Sequence, residues 1–215
     1  MNPREARTTL INRLVRDGYL RSKTVVDAML AVPREVFVPE AEAALAYDDH
    51  PLPIGFGQTI SAPHMVAIMT ELLDAKEDSR ILEIGSGSGY QAAVLSRIAS
   101  KGFVYTVERI PELARIAEDN LGRFGAGNVK VIVADGTVGY QAEAPYDRII
   151  VTAASPRIPS GLVGQLAEGG LMLVPVGGRW YQDLMMVRRK RGEAVVEGHG
   201  GCVFVPLVGK DGWPN

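Results

Sequence analysis

The run Arg80-Ile81-Leu82-Glu83-Ile84, followed by Gly85-Ser86-Gly87-Ser88-Gly89-Tyr90, constrains this chain more than any other feature. Strand-forming residues lead straight into three glycines at alternate positions, and a helical pattern follows. Such a turn lets the backbone bend sharply and approach a ligand closely, since no Cβ intervenes. The free N–H groups at the start of the helix point at the same spot. Spacing selects the ligand. A dinucleotide fingerprint, G-x-G-x-x-G/A, places its third small residue sixth, whereas here the third glycine is fifth and Tyr90 is sixth. E-x-G-x-G-x-G suits S-adenosylmethionine better. The turn is not the hydrolase elbow G-x-S-x-G either, because its third position is Gly87, so Ser86 and Ser88 read as turn residues.

Around this turn the chain alternates strand and helix patterns: strands at 80–84, 103–107, 129–133, 146–152 and 170–176, with helices at 90–99, from Pro111 to the Gly125-Ala126-Gly127 stop, and near 162–166. Alternation of this kind implies a parallel sheet covered on both faces. Residues 182–188 and 194–207 are valine-rich and alternating, which predicts one or two antiparallel strands beside it. The expected fold is a three-layer α-β-α, Rossmann-like fold, mostly parallel, with antiparallel strands near the C-terminus and a small N-terminal helical extension, and the S-adenosylmethionine-type glycine turn makes it the methyltransferase variety. The basic run Arg188-Arg189-Lys190-Arg191-Gly192 reads as a solvated hairpin turn.

Ahead of the core, residues 8–20 carry a helical stripe of Leu10, Ile11, Leu14 and Val15 stopped at Gly18, and a second helix is capped by Ser22 or Thr24 and ended by Pro33. A third helical piece covers 40–46. Residues 48–61 are crowded with glycine and proline and are not periodic, so they read as a shaped loop lining a site. The following helix starts at Ala62 or Pro63. One domain is expected over 1–215, divided into a cap (1–50), a substrate loop and helix (51–78) and a cofactor-binding core (79–215). Tyr19 and Lys23 form Y-x-x-x-K, the acid/base pair of short-chain dehydrogenases, but they precede the nucleotide-binding half and read as chance.

Composition excludes several classes. A net charge of -2 gives no basic field for nucleic acid or anionic membrane. One cysteine, Cys202, with three scattered histidines makes neither a disulfide nor a zinc site. Without a signal peptide or an apolar run near the roughly 18 residues of a membrane span, the expectation is a cytoplasmic protein without a metal. Candidate ligand residues fall at strand ends. Glu108 ends the second strand about twenty residues past the glycine turn, where an acid holds ribose hydroxyls. Asp135-Gly136 ends the third. His50 and His64 read first as hydrogen-bonded structural residues.

The segments 51–55 (Pro-Leu-Pro-Ile-Gly) and 57–61 (Gly-Gln-Thr-Ile-Ser), the glycine turn with its flanks at 82–91, residues 145–154 (Pro-Tyr-Asp-Arg-Ile-Ile-Val-Thr-Ala-Ala) and 204–207 (Phe-Val-Pro-Leu) together resemble the protein-L-isoaspartate O-methyltransferase family over nearly the whole chain. The glycine turn is shared with most S-adenosylmethionine enzymes; the proline-glycine segment ending in Gln-Thr-Ile-Ser is more specific. Ser86 stands where threonine is common in bacterial members, and Ser155 where alanine is expected. The resemblance implies methyl transfer from S-adenosylmethionine, leaving S-adenosylhomocysteine, to the α-carboxylate of L-isoaspartyl residues in damaged proteins and peptides. It implies a cofactor site of Ile60, Ser61, His64, Gly85, Gly87, Glu108, Asp135 and Gly136. The substrate site would be Gln58, Thr59, Ser61, Val151, Ala153 and Ala154, with Ser61 catalytic. Partners are isoaspartyl proteins and peptides, neither nucleic acid nor membrane, and a monomer is expected. An NAD-dependent oxidoreductase and a non-catalytic S-adenosylmethionine-binding module stay as alternatives.

Overall fold

The computed structural model describes residues 2–214. Helix α1 spans Pro3–Arg16, starting ahead of the apolar stripe. Its start is set by a reciprocal cap: Glu5 N–H donates to Asn2 Oδ1 at 2.9 Å, and Asn2 N–H donates to Glu5 Oε2 at 3.3 Å. Pro3 supplies a first-turn residue that needs no donor. Helix α2, Lys23–Ala31, is capped by Ser22. Two 3-10 turns follow, Arg34–Phe37 and Glu40–Leu45.

The expected loop at 48–61 is instead partly a hairpin. Strands β1, Leu52–Gly55, and β2, Gln58–Ile60, pair antiparallel with Leu52 opposite Ile60. Phe56 and Gly57 turn the chain with φ of 53° and 68°, the left-handed pair that a two-residue hairpin turn demands. Pro51 and Pro53 hid these strands, since proline argues against a central strand but is tolerated in an edge ribbon. Helix α3, Pro63–Leu73, leaves the hairpin directly.

The core then runs β3 (Arg80–Ile84), α4 (Tyr90–Ile98), β4 (Phe103–Glu108), α5 (Pro111–Phe124), β5 (Val129–Val133), β6 (Tyr146–Val151), α6 (Ser160–Gly164), β7 (Leu166–Gly177), β8 (Gln182–Lys190) and β9 (Glu193–Cys202). The sheet order is β5-β4-β3-β6-β7-β8-β9. The first five strands are parallel, and β8 and β9 add on antiparallel. Strand β7 begins earlier than the apolar run suggests, because Leu166 already pairs with Tyr146 before the register shifts at the glycines. Strand β9 stops at Cys202, and the residues beyond it form an extended segment bridged to Ala154 through Pro206. Of the basic run expected as a turn, Arg188–Lys190 end strand β8 and only Arg191 and Gly192 make the β8–β9 turn, at φ 54° and 80°.

Alternation along the strands divides the core. Ile81, Val104, Ile150 and Leu171 face α4 and α5, with Leu10, Leu14 and Met29 of α1 and α2 in the same cluster. Leu82, Tyr105, Ile149 and Met172 face the other way, against Leu162 of α6. The second helical layer is thin, one short helix beside the 3-10 turns Gly136–Val138 and Gln141–Glu143. Leu95 is fully buried, and truncating such a leucine to alanine costs about 2–5 kcal/mol. Among the described residues, no helix is long and apolar enough to cross a membrane. After β5 the chain returns to the other side of β3 to lay down β6. The crevice beyond the carboxyl ends of β3 and β6 is therefore the switch point where such sheets bind ligands.

Candidate cofactor and acceptor cleft

The glycine turn opens directly off β3. Gly85 sits at φ 97°, and a Cβ there would lie 2.4 Å from Thr152 Oγ1, so glycine is required on two counts. Thr152 follows β6 and clamps the turn: its N–H donates to Ile84 O at 2.9 Å and its hydroxyl to Gly85 O at 2.7 Å. Gly85 N–H donates to Val107 O at 2.8 Å, joining β4. Helix α4 starts at a Gly89 N-cap with no side-chain cap. Its first N–H groups are left for a ligand, and Tyr90 and Gln91 line the cleft.

Two carboxyl groups reach this cleft. Glu108 accepts from Gly87 N–H and Ile110 N–H, both at 3.1 Å. Glu83 is fully buried, and among the described residues neither of its oxygens has a hydrogen-bond partner. The neighbouring Thr106 hydroxyl is engaged with Ser86 Oγ at 2.6 Å. Burial pushes Glu83 up to about 8, with Thr106 opposing the shift and the Glu108 charge adding to it. Ser88 Oγ is a third buried polar atom without a partner at the cleft. A ligand carrying positive charge and hydroxyl donors fits these orphaned acceptors, and S-adenosylmethionine has both.

Across the cleft lie Gln58, Thr59, Ile60 and Ser61 from the end of the hairpin. Ser61 does not cap α3: the N-cap is Ala62, and no side-chain cap bond is made. Its carbonyl accepts from Arg34 Nη2 at 2.8 Å. The remaining wall is Thr152, Ala153 and residues 205–208. It is stitched through Ala154, whose N–H donates to Val205 O at 2.8 Å and whose carbonyl accepts from Leu207 N–H at 2.8 Å and Trp213 Nε1 at 3.0 Å.

Of the residues expected from the sequence, the cleft brings together Gln58, Thr59, Ile60, Ser61, Gly85, Gly87, Glu108, Gly136 and Ala153. Four stand behind it. His64 gives its backbone N–H and ring Nδ1 to Asp49 Oδ1, each at 2.9 Å, and packs on Tyr19. Asp135 accepts from Thr137 N–H, the Thr137 hydroxyl and Lys210 N–H. Partial burial works to raise its pKa, but the bonds from Lys210 and Thr137 outweigh it and hold the carboxyl below the usual range. Val151 is buried within the sheet, and Ala154 serves the wall. Residue patterning passed over Glu83, although it is the acid of E-x-G-x-G-x-G. Thr152, inside the 145–154 segment, and the 205–208 wall, overlapping 204–207, carry the family resemblance, but no local pattern shows that they meet the glycine turn. Among the described residues, no group of three or more His, Cys, Asp or Glu could hold a metal ion.

A glycine turn with two acids at the switch point of this sheet defines an S-adenosylmethionine-dependent methyltransferase of the Rossmann-like kind. The sequence pattern of the protein-L-isoaspartate(D-aspartate) O-methyltransferase family matches residues 5–212. The chain belongs to that family. A relative named protein-L-isoaspartate O-methyltransferase from Hyperthermus butylicus is 55% identical, over 98% of this chain and 91% of its own. One from Staphylothermus marinus is 56% identical, over 97% and 96%. A Plasmodium falciparum structure bearing the same enzyme name, in complex with S-adenosyl-L-homocysteine, superposes with a TM-score of 0.84 at 28% identity, over 94% of this chain and 98% of that one. Another structure of that name gives a TM-score of 0.88 at 32% identity, over 96% of this chain and 67% of that one. The chain is thus an O-methyltransferase that uses S-adenosylmethionine and acts on L-isoaspartyl residues, which sets aside the oxidoreductase and binding-module alternatives.

Proposed function

We propose that this chain methylates the free α-carboxylate of L-isoaspartyl residues in damaged proteins and peptides, with Ser61 aligning the acceptor. The ester then closes to a succinimide whose hydrolysis returns some normal aspartate. One observation carries the reading. The cleft has two unlike walls, the glycine turn with Glu83 and Glu108 on one side and the uncharged hairpin end at 58–61 on the other. When bound, S-adenosylmethionine supplies a methyl group activated by its sulfonium.

The chain supplies position and environment. An α-carboxylate with a pKa of about 3.5 is ionised at neutral pH, so no general base is needed to make the nucleophile. Attack neutralises opposite charges, and the apolar lining by Val66, Met69, Val107 and Leu207 favours that by thinning the water. Gln58, Thr59, the Ser61 hydroxyl and the backbone at Thr152 and Ala153 hold the acceptor. Ile60, Ser61, Gly85, Gly87, Glu108 and Gly136 surround the cofactor. His64, Asp135, Val151 and Ala154 brace these groups from behind. The same reading has a single-domain, cytoplasmic monomer working on polypeptide chains, with neither nucleic acid nor membrane as partner, in keeping with a net charge of -2.

The test is methyl transfer to paired peptides that differ only in an isoaspartyl or aspartyl linkage. The extra backbone methylene shifts the carboxylate, and misplacement by about 1 Å costs on the order of a hundredfold. A rate difference of that order is expected. Equal rates would refute isoaspartyl selectivity in this cleft.

A further inference from the structure

We propose that Arg34 is a positioning residue for methyl transfer, its buried guanidinium fixing Ser61 on the acceptor side of the cleft against Tyr90 on the cofactor side. The inference rests on the role assigned to Ser61 above. Arg34 lies outside the cleft, in the 3-10 turn Arg34–Phe37 of the N-terminal cap, and is fully buried. Nη2 donates to Ser61 O at 2.8 Å. The guanidinium carbon sits 5.0 Å from the centre of the Tyr90 ring. Phe37, from the same turn, packs edge-on to that ring at 5.6 Å.

Ser61 needs such a tie. Strand β2 ends at Ile60 and, among the described residues, pairs only with β1, and the N-cap of α3 is Ala62 rather than Ser61. Among the described residues, the bond from Arg34 is the one hydrogen bond in which Ser61 takes part.

A purely structural role does not account for an arginine here. Among the described residues its buried Nε and Nη1 have no hydrogen-bond partner, and no carboxylate lies within ion-pair distance. An unpaired buried cation is destabilising, and an apolar side chain of similar volume serves packing better. A planar guanidinium offers something an apolar residue cannot. One nitrogen bonds a carbonyl while the same rigid cation sits over a ring, so a single planar group holds both partners at once. At a reacting centre that control matters, because displacement by about 1 Å can cost on the order of a hundredfold in rate.

Arg34→Met and Arg34→Lys, each alone and combined with Ser61→Ala, test this. The readouts are kcat and KM for an isoaspartyl peptide at saturating S-adenosylmethionine, S-adenosylhomocysteine affinity by calorimetry, and Tm. For Arg34→Met, kcat per folded molecule should fall by at least about tenfold, with product affinity within about threefold of wild type. The loss should shrink to within about twofold in the Ser61→Ala background, since both changes then strike one element. Arg34→Lys should retain part of the activity, because an ammonium can reach the carbonyl but cannot at once bond it and hold a planar cation over Tyr90.

An Arg34→Met rate within about twofold of wild type overturns the inference, as does an undiminished loss in the Ser61→Ala background. If Arg34→Met does not fold, Arg34→Lys decides: a full rate overturns the inference and a reduced one, absent in the Ser61→Ala background, upholds it. A silent Ser61→Ala removes the role of Ser61 itself. A slow Arg34→Met beside it would show that Arg34 acts elsewhere, and that too overturns the inference.

Discussion

The carboxylate of Glu108 accepts the N–H of Gly87 at 3.1 Å, tying the end of β4 to the middle of the glycine turn. Its other oxygen takes Ile110 N–H at 3.1 Å. The acid is therefore held in place before any ribose hydroxyl arrives. Glu108→Ala should remove charge-assisted hydrogen bonds worth roughly 1.5–3 kcal/mol each, weakening cofactor affinity roughly ten- to 150-fold per bond. Calorimetry with S-adenosylhomocysteine checks this, and an unchanged affinity would leave Glu108 only a brace for the turn.

Ser61→Ala should separate catalysis from stability. With Ala62 as the N-cap, the hydroxyl contributes nothing to the start of α3, so Tm should stay near wild type. Loss of a hydrogen bond to a charged acceptor predicts a fall of roughly ten- to 150-fold in kcat/KM. Ser61→Thr, which keeps a hydroxyl, should retain more activity. Turnover within about twofold of wild type in Ser61→Ala, far below that bond's value, would end its catalytic assignment.

Glu83 makes a prediction about pH. Its pKa is raised in the folded state from 4.5 to about 8, chiefly by burial. Between those values the folded state binds the proton that the unfolded chain releases. The contribution to stability is thus fully present below about 4.5 and is lost as pH rises through about 8. Cofactor-free Glu83→Gln, which mimics the neutral carboxyl, should lose this part of the slope and gain on wild type at pH 8, by on the order of a few kcal/mol. Urea denaturation at pH 5.5 and 8 measures it. Identical slopes in the two proteins would show that Glu83 is not the titrating group.

Gly85→Ala meets two obstacles, a φ of 97° and a Cβ 2.4 Å from Thr152 Oγ1. The first costs about 1–2 kcal/mol for a residue with a Cβ. The second pushes the threonine away from Gly85 O and Ile84 O. Thr152→Ala should be destabilising alone yet partly rescue Gly85→Ala, because it removes the clash and leaves the backbone strain. A double-mutant cycle by denaturant unfolding reads the coupling. Additive losses would mean that the turn yields without touching Thr152.

Much of the core was legible because its signals are local. Strands β3 and β5 lie where the apolar runs placed them, α5 opens at Pro111, and Gly125 closes it in the left-handed conformation. The hairpin at 52–60 was not, because two short strands flanked by prolines carry too little alternation to distinguish from a loop. Helix α1 was read short because its first turn is charged, yet the Asn2 and Glu5 pair that starts it was there to be seen. In the cleft, the glycine turn and Glu108 follow from strand-end position alone. The contact of Arg34 with Ser61, and the wall at 205–208, depend on approaches between distant segments that no spacing records.

That wall has a consequence for when the enzyme becomes competent. Chains emerge N-terminus first and domains fold as units, so the glycine turn and both of its acids leave the ribosome well before Val205, Leu207 and Trp213 reach Ala154. Until they do, the nascent protein has the floor of a site without its far side, open to water where methyl transfer requires it dry. A chain ending at Cys202 would keep every strand of the sheet yet lack this wall, and it should fail to methylate; methyl transfer by such a truncated protein would refute the wall's part in the site.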